Sequence, residues 1–309
     1  MNTRILISHA LSPLHAGTGQ SVGAIDLAIA RDPATDHPYL PGSSLKGSLR
    51  ALAFASAKEA DSTGWSESMA QAIFGPPADE NDESRLHAGS MAFGDARLLL
   101  LPVRSVKGTF AWVTSPFLLA RYRRDAVAAG LLQNPELPQM PQTETCLVAA
   151  KDLIIENTRN VIFEDLDLAA EERPEVQEWA RHLGEHIYPS ASGEEFWRKH
   201  LETHLCIVHD DVMTFLARYG TEVVTRNVLK AEEKVTDNLW VEENLPSETV
   251  LYSLLLATPN TGARKVCEGL VGEKMFESLE SLLVGGIQLG GKATVGRGRC
   301  RMILVGGAA

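Results

Sequence analysis

Leu40-Pro41-Gly42-Ser43-Ser44-Leu45-Lys46-Gly47-Ser48-Leu49-Arg50 is the stretch on which the fold turns. Pro41-Gly42-Ser43-Ser44 is a helix-start signal, and Leu45, Leu49 and Leu52 then fall on one apolar face. A helix start presents unsatisfied N–H groups and the positive end of the dipole, a setting that attracts phosphate. Lys46 and Arg50 are four residues apart, so they share a face and can reach successive phosphates while the leucines pack inward. A basic pair on a surface helix is more commonly just solvated, so the spacing alone does not assign it a ligand.

Upstream, Arg4 to Leu14 alternates apolar and polar residues as a first strand. A glycine-rich loop follows, from His15 through Gly17, Gly19 and Gly23 to Asp26. Downstream, residues 61–89 form a polar insertion with a short helix around Ser66–Ile73, and strands are predicted at Met91–Phe93, Ala96–Val103 and Thr109–Thr114. A helix spans Phe117–Ala129, a proline-containing loop 131–145, and an inserted, mainly helical section 146–219 with strand-like pieces at Leu147–Ile155 and Val161–Phe163. Glu222–Leu229 and Val235–Val241 flank a polar turn. This hairpin has so little to bury that it reads as an arm projecting from the body. Glu248–Leu256 is a strand, Glu273–Leu283 a helix, and Gln288–Leu304 a glycine-interrupted strand region, giving a mixed α+β order with strands from both ends of the chain. Ser44-Leu45-Lys46-Gly47-Ser48 is echoed by Ser105-Val106-Lys107-Gly108-Thr109.

The chain has 309 residues, 44% of them apolar and 22% charged, a globular balance that argues against wholesale disorder. No apolar run approaches the ~20 residues of a membrane span. The N-terminus has no signal-peptide pattern, so a soluble cytoplasmic protein is expected. Four cysteines stand far apart without a C-x-x-C pair, which disfavours a disulfide scaffold or a cysteine zinc site. A net charge of −11 disfavours nucleic acid at first sight. The distribution of charge reopens the question, since residues 97–124 hold six bases and no acid and residues 292–301 four bases and no acid, although bases that merely balance solvated acidic stretches account for it equally well. Phosphate responds to potential within a Debye length of ~8–10 Å, so local basic segments can hold a polyanion.

Three short motifs fail on inspection. Gly17-Thr18-Gly19 begins like a dinucleotide fingerprint, but Val22 stands where the third glycine belongs. Gly286 to Ala293 nearly spells a phosphate loop, but Ala293 replaces the magnesium-binding hydroxyl. His182-Leu183-Gly184-Glu185-His186 matches the H-x-x-E-H zinc-peptidase pattern, and His200 and His204 repeat its spacing. Three fixed residues and a helix-weakening glycine make solvated histidines the better reading. Asp26, just after the glycine-rich turn and within a few residues of His15, could bind Mg²⁺ or orient a 2′-hydroxyl. By spacing alone it is more simply a strand-end aspartate capping a turn.

The blocks His15 to Asp26 and Leu40 to Arg50 resemble the RAMP superfamily of CRISPR-associated proteins, and within it the repeated backbone subunit of the type III-B (Cmr-type) RNA-targeting complex. Leu101 to Thr114, Glu243 to Ser253 and Gln288 to Gly298 extend the match in family order over nearly the whole chain; segments 61–89 and 131–210 are not distinctive. The resemblance implies a ferredoxin-like (RRM-type) palm, formed by residues 1–130 and 247–309. An inserted, mainly helical section at 131–220 and a projecting β-hairpin thumb at 221–246 complete one elaborated domain. It implies head-to-tail copies along a CRISPR RNA, alongside the other subunits of the complex and with no membrane. Each thumb would wedge between guide and target single-stranded RNA at a regular interval.

The family's cleaving aspartate maps onto Asp26, with His15 beside it and a divalent metal, Mg²⁺ or Mn²⁺, on Asp26. The expected product is target RNA cut periodically, with 2′,3′-cyclic phosphate ends. Ser43, Ser44, Lys46, Arg50, Lys107, Gly291, Lys292 and Arg297 are the expected RNA-binding set; Glu232 and Glu242 on the hairpin are unranked acids. Guide–target pairing supplies specificity, so backbone contacts suffice, in keeping with only 6% aromatic residues. The alternatives are a non-catalytic scaffold that spaces thumbs along the guide, or the equivalent backbone subunit of the type III-A complex.

Overall fold

The computed structural model describes residues 2–19, 23, 25–58, 64–77, 87–190, 193–229, 236–258 and 265–307; Glu232 and the start of the second hairpin strand at Val235 lie outside them. The first half contains β1 (Asn2–Ala10), β2 (Tyr39–Leu40), α1 (Gly42–Ser56), α2 (Glu67–Phe74), β3 (Met91–Phe93), β4 (Ala96–Arg104), β5 (Phe110–Thr114) and α3 (Pro116–Ala128). The middle contains β6 (Thr145–Val148), β7 (Asn160–Phe163), β8 (Leu166–Glu172), α4 (Pro174–Ile187), α5 (Glu195–His204), β9 (Leu205–Val208) and α6 (Asp210–Tyr219). The rest is β10 (Glu222–Leu229), β11 (Thr236–Asn244), β12 (Val250–Ala257), α7 (Glu273–Leu282), β13 (Ile287–Gln288) and β14 (Arg299–Val305).

β14, β1, β12 and β4 lie side by side, all antiparallel, with α1 between β1 and β4 in sequence and α7 between β12 and β14. That order is the ferredoxin-like βαββαβ unit. Strand alternation explains why it is covered on both faces. Leu6 and Ala10 of β1 join the leucines of α1 and Met275, Phe276 and Leu279 of α7 on one face, while Ile5 and Ile7 join Tyr122 of α3 and Trp179 of α4 on the other. Gly42 lets the start of α1 sit tightly on the sheet: a Cβ there would lie 2.4 Å from the carbonyl oxygen of Phe93. Its N–H is held by Asp95 Oδ1 at 2.8 Å.

Everything from 105 to 249 is inserted between two neighbouring strands of this unit, β4 and β12. Helices α4, α5 and α6 supply most of the regular structure of 131–220, but β6, β7, β8 and β9 of the same section continue the main sheet from β5. β7 returns to the end of β4, where Phe163 bridges Ser105, and the Val106 N–H donates to Ile162 O at 3.1 Å. The join is a parallel pairing of β5 with β9. Two of these strands escape pattern reading for opposite reasons. β8 is rich in acids, with most of its side chains toward solvent; Leu205-Cys206-Ile207-Val208 of β9 is buried throughout and so shows no alternation.

The first strand also ends earlier than expected, at Ala10 and not Leu14. Leu11 and Ser12 both donate to the carbonyl of Arg299 and Pro13 has no N–H to offer, so the ladder stops there; Leu14 and His15 resume only as isolated bridges to Leu245 and Gly291. β10 and β11 form a separate two-stranded sheet. Its root is buried and its outer part is exposed, with Val223, Val228 and Leu239 open to solvent. Among the described residues no helix is long and apolar enough to cross a membrane.

Candidate functional site

Asp26 stands exposed at the root of the hairpin. The segment after it runs beside β11: the N–H of Leu27 donates to Val241 O at 3.0 Å, and the N–H of Glu243 donates to Leu27 O at 3.0 Å. The N–H of Val241, next along the same edge, donates to Asp26 Oδ2 at 2.8 Å. The carboxylate is therefore fixed to the hairpin by the main chain, an arrangement that neither a turn-capping reading nor the sequence spacing suggests.

His15 is brought to the same root but is buried, 6% exposed. Its Nδ1 lies 2.8 Å from the carbonyl oxygen of Glu243, and a carbonyl can only accept, so Nδ1 carries the proton. Its own backbone carbonyl accepts from Gly291 N–H at 2.9 Å. Gly290, at φ +69°, makes that approach possible, since a Cβ there would lie 2.3 Å from His15 O. The expectation of His15 as a catalytic group is thus met by a ring that ties strand to hairpin; burial and a fixed Nδ1 bond suit a positioning role.

Lys292 and Arg297, expected on the guide backbone, both turn onto the hairpin instead. Lys292 Nζ lies 2.9 Å from Glu242 Oε1 and 5.8 Å from the centroid of the Trp240 ring; Arg297 pairs with Glu222 Oε1 at 2.7 Å. Glu242 is 2% exposed and also accepts from Trp240 Nε1 at 2.6 Å, with Arg226 Nε at 3.6 Å. Burial pushes its carboxyl up, but the indole N–H, the Lys292 ammonium and the Arg226 guanidinium outweigh that and hold it below the ordinary carboxylate range. A buried carboxylate so paired braces the root and is not free for chemistry.

Ser43, Ser44, Lys46 and Arg50 form a second group, on the open first turns of α1. Ser43 and Ser44 are exposed and no acid lies within the first turn itself, but the Asp95 carboxylate accepts from the Gly42 N–H at 2.8 Å and so takes part of the helix start. Lys46 is half-buried with no hydrogen-bond partner among the described residues; desolvation, then repulsion from Arg50, lowers its pKa. Arg50 lies over the Phe54 ring at 5.0 Å. α1 packs against β13, the strand that leads into Gly290 and Gly291. Lys107 is placed elsewhere: its ammonium sits on the carbonyl of Ile154 at 2.8 Å, and Gly108 and Thr109 take positive φ in a tight turn where the echoed Gly47 and Ser48 are helical.

No three His, Cys, Asp or Glu side chains converge as a metal site among the described residues. Asp26 fits a divalent cation only as one oxygen donor, with phosphate oxygens and water completing the shell, a manner in which Mg²⁺ is commonly held. The H-x-x-E-H match is a packing feature. The His182 and His186 rings pack 4.3 Å apart, His186 Nδ1 meets the Tyr122 hydroxyl at 3.0 Å, and burial drives His182 down to about 4. Sequence reading misses Glu243 and Arg31, which lie 2.5 Å apart beneath Asp26. The only hint is a pair of acids, Glu242 and Glu243, shortly before an apolar Leu245-Pro246.

Comparison with known proteins gives the same picture at whole-chain scale. The sequence profile of the RAMP superfamily matches residues 9–301. The chain is 33% identical, over 302 residues, to the CRISPR system Cmr endoribonuclease Cmr4 of Pyrococcus furiosus, covering 96% of this chain and 93% of that protein. The crystal structure of oligomeric Cmr4 from Pyrococcus furiosus superimposes with a TM-score of 0.72 at 26% identity, covering 100% of both chains. A subunit in the cryo-EM structure of a type III-B Cmr-β complex bound to cognate target RNA shares the fold, at a TM-score of 0.68 and 21% identity, over 98% of this chain and 97% of that one.

Proposed function

The chain belongs to the RAMP superfamily, and from that premise we propose that it is the repeated backbone subunit of a type III-B CRISPR effector complex. Copies stack head to tail on a CRISPR RNA, and each cuts the guide-complementary target RNA once per repeat. In this reading residues 1–130 and 247–309 are the palm, 131–220 the insertion and 221–246 the thumb. One observation carries it: the exposed carboxylate of Asp26 is hydrogen-bonded to the root of a hairpin that projects from the sheet. Chemistry and wedge are thereby fixed to each other.

The reaction is attack of a target 2′-hydroxyl on its own phosphodiester. An O2′–P bond forms, the P–O5′ bond breaks, and the product ends in a 2′,3′-cyclic phosphate. Regular A-form stacking keeps the 2′-oxygen out of line with the leaving 5′-oxygen, so a strand bent by the hairpin gains most from alignment. Asp26, held through Oδ2, acts at the 2′-hydroxyl of the bent nucleotide. A divalent cation bound there, Mg²⁺ or Mn²⁺ with Asp26 as its protein ligand, would neutralise charge on the phosphate. Ser43, Ser44, Lys46 and Arg50, around the open helix start, grip the guide backbone. His15, Lys292 and Arg297 shape the root. The name of the Pyrococcus relative supports the nuclease reading.

The test is a reconstituted complex given guide-matched RNA. The native protein is expected to yield a ladder of evenly spaced fragments, and Asp26→Ala to abolish it while target binding persists. Cutting that survives Asp26→Ala supports the competing reading of a scaffold without chemistry of its own.

A further inference from the structure

Glu243 spends every polar atom it has on the ground beneath Asp26. Its N–H donates to Leu27 O at 3.0 Å, and its carbonyl accepts from His15 Nδ1 at 2.8 Å. Oε2 accepts from the N–H of Ile29 at 3.2 Å, while Oε1 accepts from Arg31 Nη2 at 2.5 Å and from Thr221 Oγ1 at 3.0 Å. The residue is 3% exposed. Arg31, its charge partner, also donates to the carbonyls of Asp36 at 2.9 Å and Ala217 at 3.0 Å. Five segments therefore meet at the Glu243–Arg31 pair: the loop at His15 through the Glu243 carbonyl, the run from Leu27 to Arg31 that follows Asp26, the end of α6 through Arg31, Thr221 just before β10, and β11 itself.

The arrangement is costly to build. A buried carboxylate and guanidinium must both leave water, and well-packed apolar side chains usually stabilise a root as well or better. What the polar version supplies is direction, because the bonds from Ile29 and Arg31 to the Glu243 carboxylate run from the Asp26 segment to the hairpin in fixed geometry. The other buried acid nearby, Glu242, binds only hairpin and C-terminal-loop residues, namely Trp240, Arg226 and Lys292. Glu243 alone of the two reaches the Asp26 segment through its side chain.

We infer that the Glu243–Arg31 pair is a latch that makes Asp26 and the hairpin one rigid unit, and that Glu243 is a positioning residue which sets which phosphate is cut. This rests on the reading of the chain as a target-cutting subunit. If Asp26 moved independently of the hairpin, the bend and the carboxylate would fall out of phase. A misplacement of ~1 Å is enough to slow a reaction ~10²-fold. Latching them fixes the scissile phosphate relative to the wedge.

The experiment uses the reconstituted complex, saturating guide-matched RNA and single-nucleotide mapping of the products. Glu243→Gln keeps the shape and the acceptor oxygen but loses the charge. It is expected to cut at least tenfold more slowly at saturation and to spread each cut over neighbouring phosphates, with guide and target affinity within about twofold of native. Arg31→Lys, which keeps the charge but not the fork, is expected to shift both readouts in the same direction and less far, and Arg31→Lys/Glu243→Gln together no further than Glu243→Gln. Native rate with a single sharp cut in Glu243→Gln overturns the latch. So does a rate loss that merely follows lost RNA binding or lost thermal stability, since that would leave Glu243 a folding residue only. A native complex that makes no ladder at all sinks the functional reading beneath the latch; a native ladder with an unaffected Glu243→Gln sinks the latch alone.

Discussion

The hairpin root and the start of α1 hold their charges in opposite ways. At the root, Glu222, Glu242, Glu243, Arg31, Lys292 and Arg297 are all in ion pairs, and Glu242 and Glu243 are almost wholly buried. On α1, the side chains of Ser43, Ser44 and Lys46 have no hydrogen-bonding partners among the described residues, and the acid at the helix start, Asp95, is held by the Gly42 N–H. Paired, buried charge makes geometry; open, half-solvated charge makes affinity. In the proposed reading the two regions divide the work along that line, and residues that look alike in sequence, Lys46 and Lys292, fall on opposite sides of it.

The hardest blow to this division is a root variant that weakens binding and leaves cutting alone. Lys292→Met strands the buried Glu242 with only Trp240 and Arg226. The expected cost is about 1–2 kcal/mol, below the full value for a buried pair because Lys292 keeps 30% of its side chain in water. Melting temperature should fall and saturated cutting should slow several-fold, with RNA affinity changed less; calorimetry and single-turnover cleavage read the two. Lys46→Ala or Arg50→Ala should do the reverse. Affinity for the guide is expected to drop roughly three- to tenfold, and the dependence of binding on salt should flatten by about one phosphate contact per charge removed, with the rate at saturation unchanged. Filter binding across a salt series checks it.

Acid sharpens the contrast further. The folded chain holds His182 down to about 4 against an ordinary value near 6.5. Above 6.5 its ring is neutral folded or unfolded and stability is full. Below 6.5 the unfolded chain takes a proton that the folded chain refuses, so stability falls from there to about pH 4. Burial lowers His37, His186, His200 and His204 in the same direction. Glu242, held low, keeps its contribution until the pH drops below the ordinary carboxylate value of 4.5. Thermal melts from pH 7 to 4.5 should therefore slope downward, less steeply in His182→Phe and equally steeply in Glu242→Gln. The smallest effect is expected at Lys107→Ala. Its ammonium caps carbonyls of the turn near Ile154, so guide affinity and cutting should both stay within about twofold of native.

Much of the fold can be read from local pattern, because α1 and α7 carry a helical period, β4, β5 and β12 are apolar runs set off by polar and turn residues, and the hairpin announces itself by having little to bury. β8 and β9 are hidden, one by its acids and the other by burial on both faces. At the site, Asp26 and Glu242 can be picked out as residues, but not their relation. Val241 lies 215 residues from Asp26, and Glu243 lies 212 from Arg31, so no window of sequence contains either bond. The partners of Arg297 and Lys292 are hidden for the same reason: Glu222 and Glu242 are supplied by a distant hairpin.

The parallel seam between β5 and β9 has an implication for how such a chain can vary. Because β6, β8 and β7 follow from it in succession and β7 bonds back beside the end of β4, at Ser105 and Val106, the strands themselves are held in place, while the turns that join them can lengthen without touching β1 or β14. A lineage could redecorate those turns, and so change its neighbours, while the business end stayed in register.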